Sequence, residues 1–169
     1  MFVELYSDRL ELLRFDQCDV DGYTLLLTDA NTHPYIIDDG PVDPASVPIR
    51  IKKNCMATRF GQSLYWTARS KGCGEFVGFV ALHSAKSKHP VLSYAVLPKW
   101  RRQGYASEAI RAVADFAIVD IGKQAILART HLNNQASQSL LRSLGFTLAG
   151  EIDWSDAKRL EYILRPDTM

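Results

Sequence analysis

Lys99, Arg101 and Arg102 gather around Gly104, where an apolar stretch ends and a helix-like pattern starts. Such a turn is either a solvated basic surface or a holder for an anion. The second chemistry has a physical basis. A strand that stops, a glycine turn and a helix start aim several backbone N–H groups one way, and the helix dipole adds about half a positive charge there. Gly104 lets the main chain approach a phosphate closely, Ala106 is small enough to do the same, and Arg101 and Arg102 can add charge from the flanks. The spacing Arg-x-x-Gly-x-Ala lacks the Gly-Lys-Ser/Thr ending of a Walker loop and the repeated glycines of a dinucleotide fingerprint.

The elements that must position this turn follow from hydrophobic pattern. Residues 9–15 read as a first strand with Leu10 and Leu12 on one face, and Asp16 is placed to cap a helix ending near Thr28. Residues 31–44 are rich in turn formers and read as a loop, and a second helix runs from Pro48 to Gly61. Strands are expected at 63–69, 75–84 and 89–98, the last ended by Pro98. Over 106–121 the period becomes helical. Ile110, Val113, Ala117 and Ile121 form its apolar stripe, Glu108, Arg111 and Asp115 its other side, and Gly122 its stop. A strand at 124–130, a helix at 133–146 closed by Gly145 and Phe146, and a final antiparallel pair complete the chain. This order predicts an α/β sandwich rather than strict strand–helix alternation.

Bulk properties narrow the function. With 169 residues, 47% of them hydrophobic and 23% charged, the chain is expected to form a single domain over 1–169. A net charge of +1 argues against a polyanionic partner, so no nucleic acid is expected and any basic site is local. The early residues carry charges and no apolar run, and no segment approaches bilayer length, so neither export nor membrane insertion is expected. Cys18, Cys55 and Cys73 lack zinc-ligand spacing and an even count, which suggests free, half-buried thiols, no metal site and a cytoplasmic protein.

"YAVLPKWRRQGYASEAI" followed by "ARTHLNNQASQSLLRSLGF" resembles the GNAT superfamily of N-acetyltransferases, nearest to the subgroup of ribosomal-protein N-terminal acetyltransferases. The likeness is specific over 94–146 and runs in outline from 9 to 165. It implies an α/β (α+β) fold with a mixed, mostly antiparallel central sheet flanked by helices on both faces. It further implies acetyl-CoA as cosubstrate. Its pyrophosphate would lie on the turn formed by Arg101, Arg102, Gln103, Gly104, Tyr105, Ala106 and Ser107, and its pantetheine arm along Ala95, Val96 and Leu97. Asn134, Ser137, Leu144, Gly145 and Phe146 match the family's second motif.

The implied reaction is attack of an amine on the thioester, which requires a neutral amine, an oxyanion donor and a proton for the thiolate. Main-chain N–H groups near Val96 and Leu97 are candidates for the oxyanion. Asn134, Ser137 and Leu141 share a helical face, and Leu141 stands where many relatives carry tyrosine, which shifts the acid role to Ser137. Ser137 and Asn134 are open to a second reading, as a backbone-bonded hydroxyl and a helix cap. Val91 and Arg129 stand where relatives often place a glutamate base. His131 is the nearby titratable replacement, or else a structural histidine, and Glu75 and Glu151 are further candidates.

An α-amine has a pKa about 2.5 units below that of lysine, so it costs roughly 3.4 kcal/mol less to deprotonate. A site without a carboxylate base therefore suits an α-amine, such as a protein N-terminus. The alternatives are a polyamine or aminoglycoside-like acceptor, and a module that binds acyl-CoA without turnover. His33, Tyr35, Asp38 and Asp39 in the first loop could receive the acceptor, and Tyr65 or Trp66 could line the cleft. Monomer and homodimer are both open.

Overall fold

A computed structural model of the chain describes residues 2–36, 42–154 and 157–168. Alternation sets the strands. In β2 (Leu10–Arg14), Leu10 and Leu12 are buried on one face. A two-residue β1 (Leu5–Tyr6) pairs with it. β3 (Leu64–Ser70), β4 (Phe76–His83) and β5 (Val91–Val96) follow as antiparallel neighbours, and β4 is almost wholly buried because helices cover both of its faces. β6 (Ile126–His131), β7 (Thr147–Trp154) and β8 (Ala157–Leu164) complete an eight-stranded sheet in the order β1-β2-β3-β4-β5-β6-β8-β7. Every neighbouring pair is antiparallel except β5 and β6.

Helices cover the two faces. α1 (Val20–Thr28) and α3 (Val47–Arg59) pack over a core containing Phe15, Leu26, Ile51, Tyr65 and Phe79. α4 (Tyr105–Asp115) and α5 (Gln135–Ser143) lie on the other face over Trp66, Val80, Ile110, Leu141 and Tyr162. The expected sandwich and its mixed sheet are therefore observed. Trp66 and Tyr65 lie in the two cores on opposite sheet faces, as adjacent strand residues must.

Several local expectations are corrected. Asp16 caps a short 3₁₀ turn, Gln17–Asp19, that leads into α1 rather than α1 itself. Part of the expected loop forms a helical turn, α2 (His33–Ile36), while Asp38 and Asp39 lie outside the described residues. Ile121 leaves the apolar stripe and is exposed, because α4 continues into a π-helical turn, Phe116–Asp120, whose wider winding rotates the register. Cys18 and Cys73 are exposed and only Cys55 is half-buried. Among the described residues no helix is long and apolar enough to cross a membrane.

Candidate active site

The two parallel strands create the site by parting. β5 and β6 are paired only at Val91–Leu127 and Leu92–Ala128, after which they diverge. Each is followed by a helix, so the N-termini of α4 and α5 both start beside the gap. A cleft of about 810 Å³ runs through this opening. Tyr94, Ala95 and Val96 form its strand wall, and residues 104–107 and 134–137 form its helical wall. Thr32, Tyr35 and Ile36 reach it from the α1–α2 side. A smaller groove of about 530 Å³ between α4 and α5, lined by Ile110 and Arg142, touches none of these groups.

The basic turn is shaped by left-handed backbone. Gly104 has φ 85° and Arg102 φ 62°, so this turn bends the main chain as an anion-binding nest does. Glu108 N–H to the Gly104 carbonyl, 3.0 Å, is the first helical bond. The N–H groups of Tyr105, Ala106 and Ser107 precede it, and Gly104 has no side chain to cap them. Arg9 braces this turn from behind. Its guanidinium bonds Glu108 at 2.7 Å and the Gln103 carbonyl at 3.0 Å, and lies over the Tyr105 ring. Burial favours a raised Glu108 pKa, but bonds from Ser7 and from the Arg9 backbone and side chain outweigh it and hold the carboxyl below its ordinary value.

The cations themselves divide. Lys99 is paired with Glu75, which places Glu75 outside the cleft wall. Arg101 turns inward and bonds Asp29 at 2.8 Å, Thr32, and the Val96 carbonyl at 3.2 Å. Its guanidinium is thus a strap between the turn and the end of α1, and it lines the cleft. Arg102 is exposed and makes no ion pair among the described residues, so it is the cation free to meet an anion. Gln103 bonds the Lys99 carbonyl with its side chain and does not line the cleft.

Along the strand wall, partners alternate. Leu97 N–H donates to Val77 at 2.9 Å, and its side chain is buried in the α1–α3 core. That amide is engaged and is no oxyanion donor. The Val96 N–H points the opposite way, into the gap that β6 has left. Gly78 permits the arrangement, since a Cβ there would fall 2.1 Å from the Ala95 carbonyl oxygen.

On α5, Asn134 is the helix cap: its Oδ1 accepts the Ser137 N–H at 3.1 Å. Its remaining amide group stays on the cleft wall. The Ser137 hydroxyl lies 2.8 Å from the Tyr94 hydroxyl. Burial pushes the Tyr94 phenol up to about 12, against a smaller opposing effect of that hydrogen bond, so it stays protonated at neutral pH. Leu141, one turn further along, is fully buried in the core.

The base candidates are not drawn into the cleft. His131 stands one layer back, its ring 5.5 Å edge-on from Tyr35, which does line the wall. Arg129 is bonded to Glu161 at 2.8 Å and Glu151 to Lys158 at 3.5 Å. Trp66 donates its indole N–H to Val3.

Pattern reading missed two side chains. Tyr94 is reached only through the β5 register, which turns it toward α5. His83 is brought 2.7 Å from Ser93 by the β4–β5 pairing, with the Tyr65 hydroxyl 3.4 Å from its other ring nitrogen. A cross-strand pairing of the two runs is the signal that would have exposed both.

A parallel β–α–β unit with a splayed gap, an uncapped glycine turn and a helix-borne serine defines an acyl-transfer scaffold. Residues 9–147 match the model of the acetyltransferase (GNAT) domain, and the chain belongs to that family of N-acetyltransferases. It is 25% identical over 153 residues to the uncharacterized N-acetyltransferase YoaA of Bacillus subtilis, covering 89% of this chain and 86% of that one. Its fold is similar to that of RimL, a ribosomal L7/L12 α-N-protein acetyltransferase solved with coenzyme A. There the TM-score is 0.83 at 17% identity, covering 96% of this chain and 97% of that one. It is likewise similar to a Salmonella typhimurium acetyltransferase that modifies the N-terminal serine of ribosomal protein L7/L12. That match has a TM-score of 0.81 at 18% identity and covers 94% and 96% of the two chains.

Proposed function

We propose that this protein transfers the acetyl group of acetyl-CoA to the α-amine of a peptide or protein N-terminus. The observation that carries this reading is chemical: no aspartate or glutamate lines the cleft among the described residues. A lysine or polyamine acceptor would arrive charged and need a strong base. An α-amine is substantially neutral near pH 8 and needs far less help. The acceptor class of the L7/L12-modifying neighbours supports the same choice.

In this reading the diphosphate lies on the amides of Tyr105, Ala106 and Ser107, with Arg102 alongside, and Asn134 meets the pantetheine arm. The amine nitrogen attacks the thioester carbonyl carbon, and the Val96 N–H receives the developing oxyanion. As the C–S bond breaks, the Ser137 hydroxyl gives its proton to the thiolate and takes one back from water in the cleft. Tyr94 donates to Ser137 Oγ and so turns the serine proton outward. His131 acts by seating Tyr35. The protein works inside the cell on its own acceptors, as a monomer or homodimer.

Release of CoA measured with serine-starting peptides tests the reading. A free α-amine with blocked lysines supports turnover, and an acetylated N-terminus with a free lysine does not. The reverse preference overturns it.

A further inference from the structure

The mechanism above leaves one proton without a destination. The nitrogen that attacks must lose it, and among the described residues the cleft wall offers no carboxylate. Outside that wall lies one cluster of titratable groups the reaction does not yet use. Tyr65 on β3, His83 on β4 and Ser93 on β5 lie side by side on three adjacent strands. His83 Nε2 is 2.7 Å from Ser93 Oγ, and His83 Nδ1 is 3.4 Å from Tyr65 Oη.

The placement of this chain of groups is what gives it meaning. Ser93 and Ala95 point to the same face of β5, and Ala95 lines the cleft. Thr32, Tyr35 and Ile36 reach the cleft from that same α1–α2 side, opposite the helix starts that would hold the cosubstrate. An amine entering there therefore arrives one strand repeat from the serine hydroxyl, about 6.6 Å along the strand, a span that bridging water fills. Ser93 is also the residue directly after the last point at which β5 and β6 are joined, so the gap opens beside it.

Resting on the acetyl-transfer reading, we infer that His83, acting through Ser93, takes up the proton released by the acceptor amine. The starting state has His83 protonated on Nδ1, which faces Tyr65, while the Ser93 hydroxyl donates to Nε2. As the new C–N bond forms, the nitrogen passes a proton through the water to Ser93 Oγ, and Ser93 passes its own to Nε2. The imidazolium produced discharges to solvent between turnovers, and no oxidant or further reactant is needed. His83 is a positioning and proton-storing residue here, since Ser93 and the water stand between it and the nitrogen.

Burial lowers the His83 pKa from its ordinary value, which leaves the ring neutral and able to accept at pH 7. Among the described residues Tyr65 from β3 and Ser93 from β5 face it, with Val91 as its cross-strand neighbour, and burial is the cause of the lowering. Burial likewise raises Tyr65 far above the neutral range, so it stays a phenol throughout.

The test is the pH profile of kcat, measured with acetyl-CoA and a saturating serine-starting peptide. The wild-type protein should show an acid limb with an apparent pKa below 6.5. His83→Gln and Ser93→Ala should both lose that limb and lower kcat at pH 7 by about tenfold to a hundredfold, with an unchanged Kd for acetyl-CoA. Ser93→Ala guards against misfolding of the histidine variant, because it removes only one partly buried hydroxyl. A purely structural role would lower Tm and leave the limb in place, and that result overturns the relay while acetyl transfer stands. If the wild-type protein binds acetyl-CoA but releases no CoA with any peptide amine, the transfer reading fails and the relay fails with it.

Discussion

The two sides of the cleft are built from different materials. The helical side presents main-chain amides, a glycine and small residues at the starts of α4 and α5. The α1–α2 side presents Thr32, Tyr35 and Ile36, held by side-chain contacts such as Arg101 to Asp29 and Tyr35 to His131. A backbone cradle fits any ligand with the same diphosphate, so it is a general device. A wall of side chains can be changed residue by residue, which suits it to acceptor choice in the proposed reaction. Substitutions in the turn before α4 should alter cosubstrate binding alone, those at Ser137 chemistry, and those on the α1–α2 side acceptor handling alone.

The largest expected effect is on chemistry. Ser137→Ala should lower kcat by about a hundredfold at pH 7 with little change in Kd for acetyl-CoA, read by steady-state kinetics beside calorimetry. Gly104→Val comes next. At φ 85°, with Arg9 Nη2 only 3.2 Å from the new Cβ, the turn must distort. A loss of about 1–3 kcal/mol in acetyl-CoA binding should follow, with far-UV circular dichroism and peptide preference unchanged. Tyr94→Phe keeps the ring and removes one hydrogen bond, so kcat should fall about threefold to tenfold.

The smallest effect probes the other side. Asp29→Asn loosens the strap to Arg101 and should raise the acceptor KM while leaving acetyl-CoA affinity alone. Its effect on stability should stay below about 1 kcal/mol, as the pair is partly exposed. Burial opposes ionisation of Asp29, but Thr32 and Arg101 outweigh it and lower the pKa. A lowered folded-state pKa adds stability above the ordinary carboxylate range and loses it as pH falls through the depressed value. The Tm gap between wild-type and Asp29→Asn protein should therefore be present at pH 6 and close toward pH 3.

The same contrast explains what pattern reading could find. Gly104, Ala106 and Asn134 were visible because a backbone cradle and a helix cap demand particular residue types at fixed local spacing. The bond from Arg101 to Asp29 stayed hidden because the two lie 72 residues apart, and no local pattern reports such a strap. The contacts of Tyr94, Ser93 and His83 stayed hidden because they depend on strand register, which a single run does not specify. The end of α4 was misjudged for a different reason: a π-turn leaves the hydrophobic period intact up to the residue where it slips.

The central claim is that free amides at the start of α4, facing the gap between β5 and β6, hold the cosubstrate. Amide ¹H–¹⁵N shifts recorded while titrating acetyl-CoA test it directly. The account predicts the largest changes at Val96, Tyr105, Ala106 and Ser107. Changes confined to the groove between Ile110 and Arg142, with those amides unmoved, would contradict it.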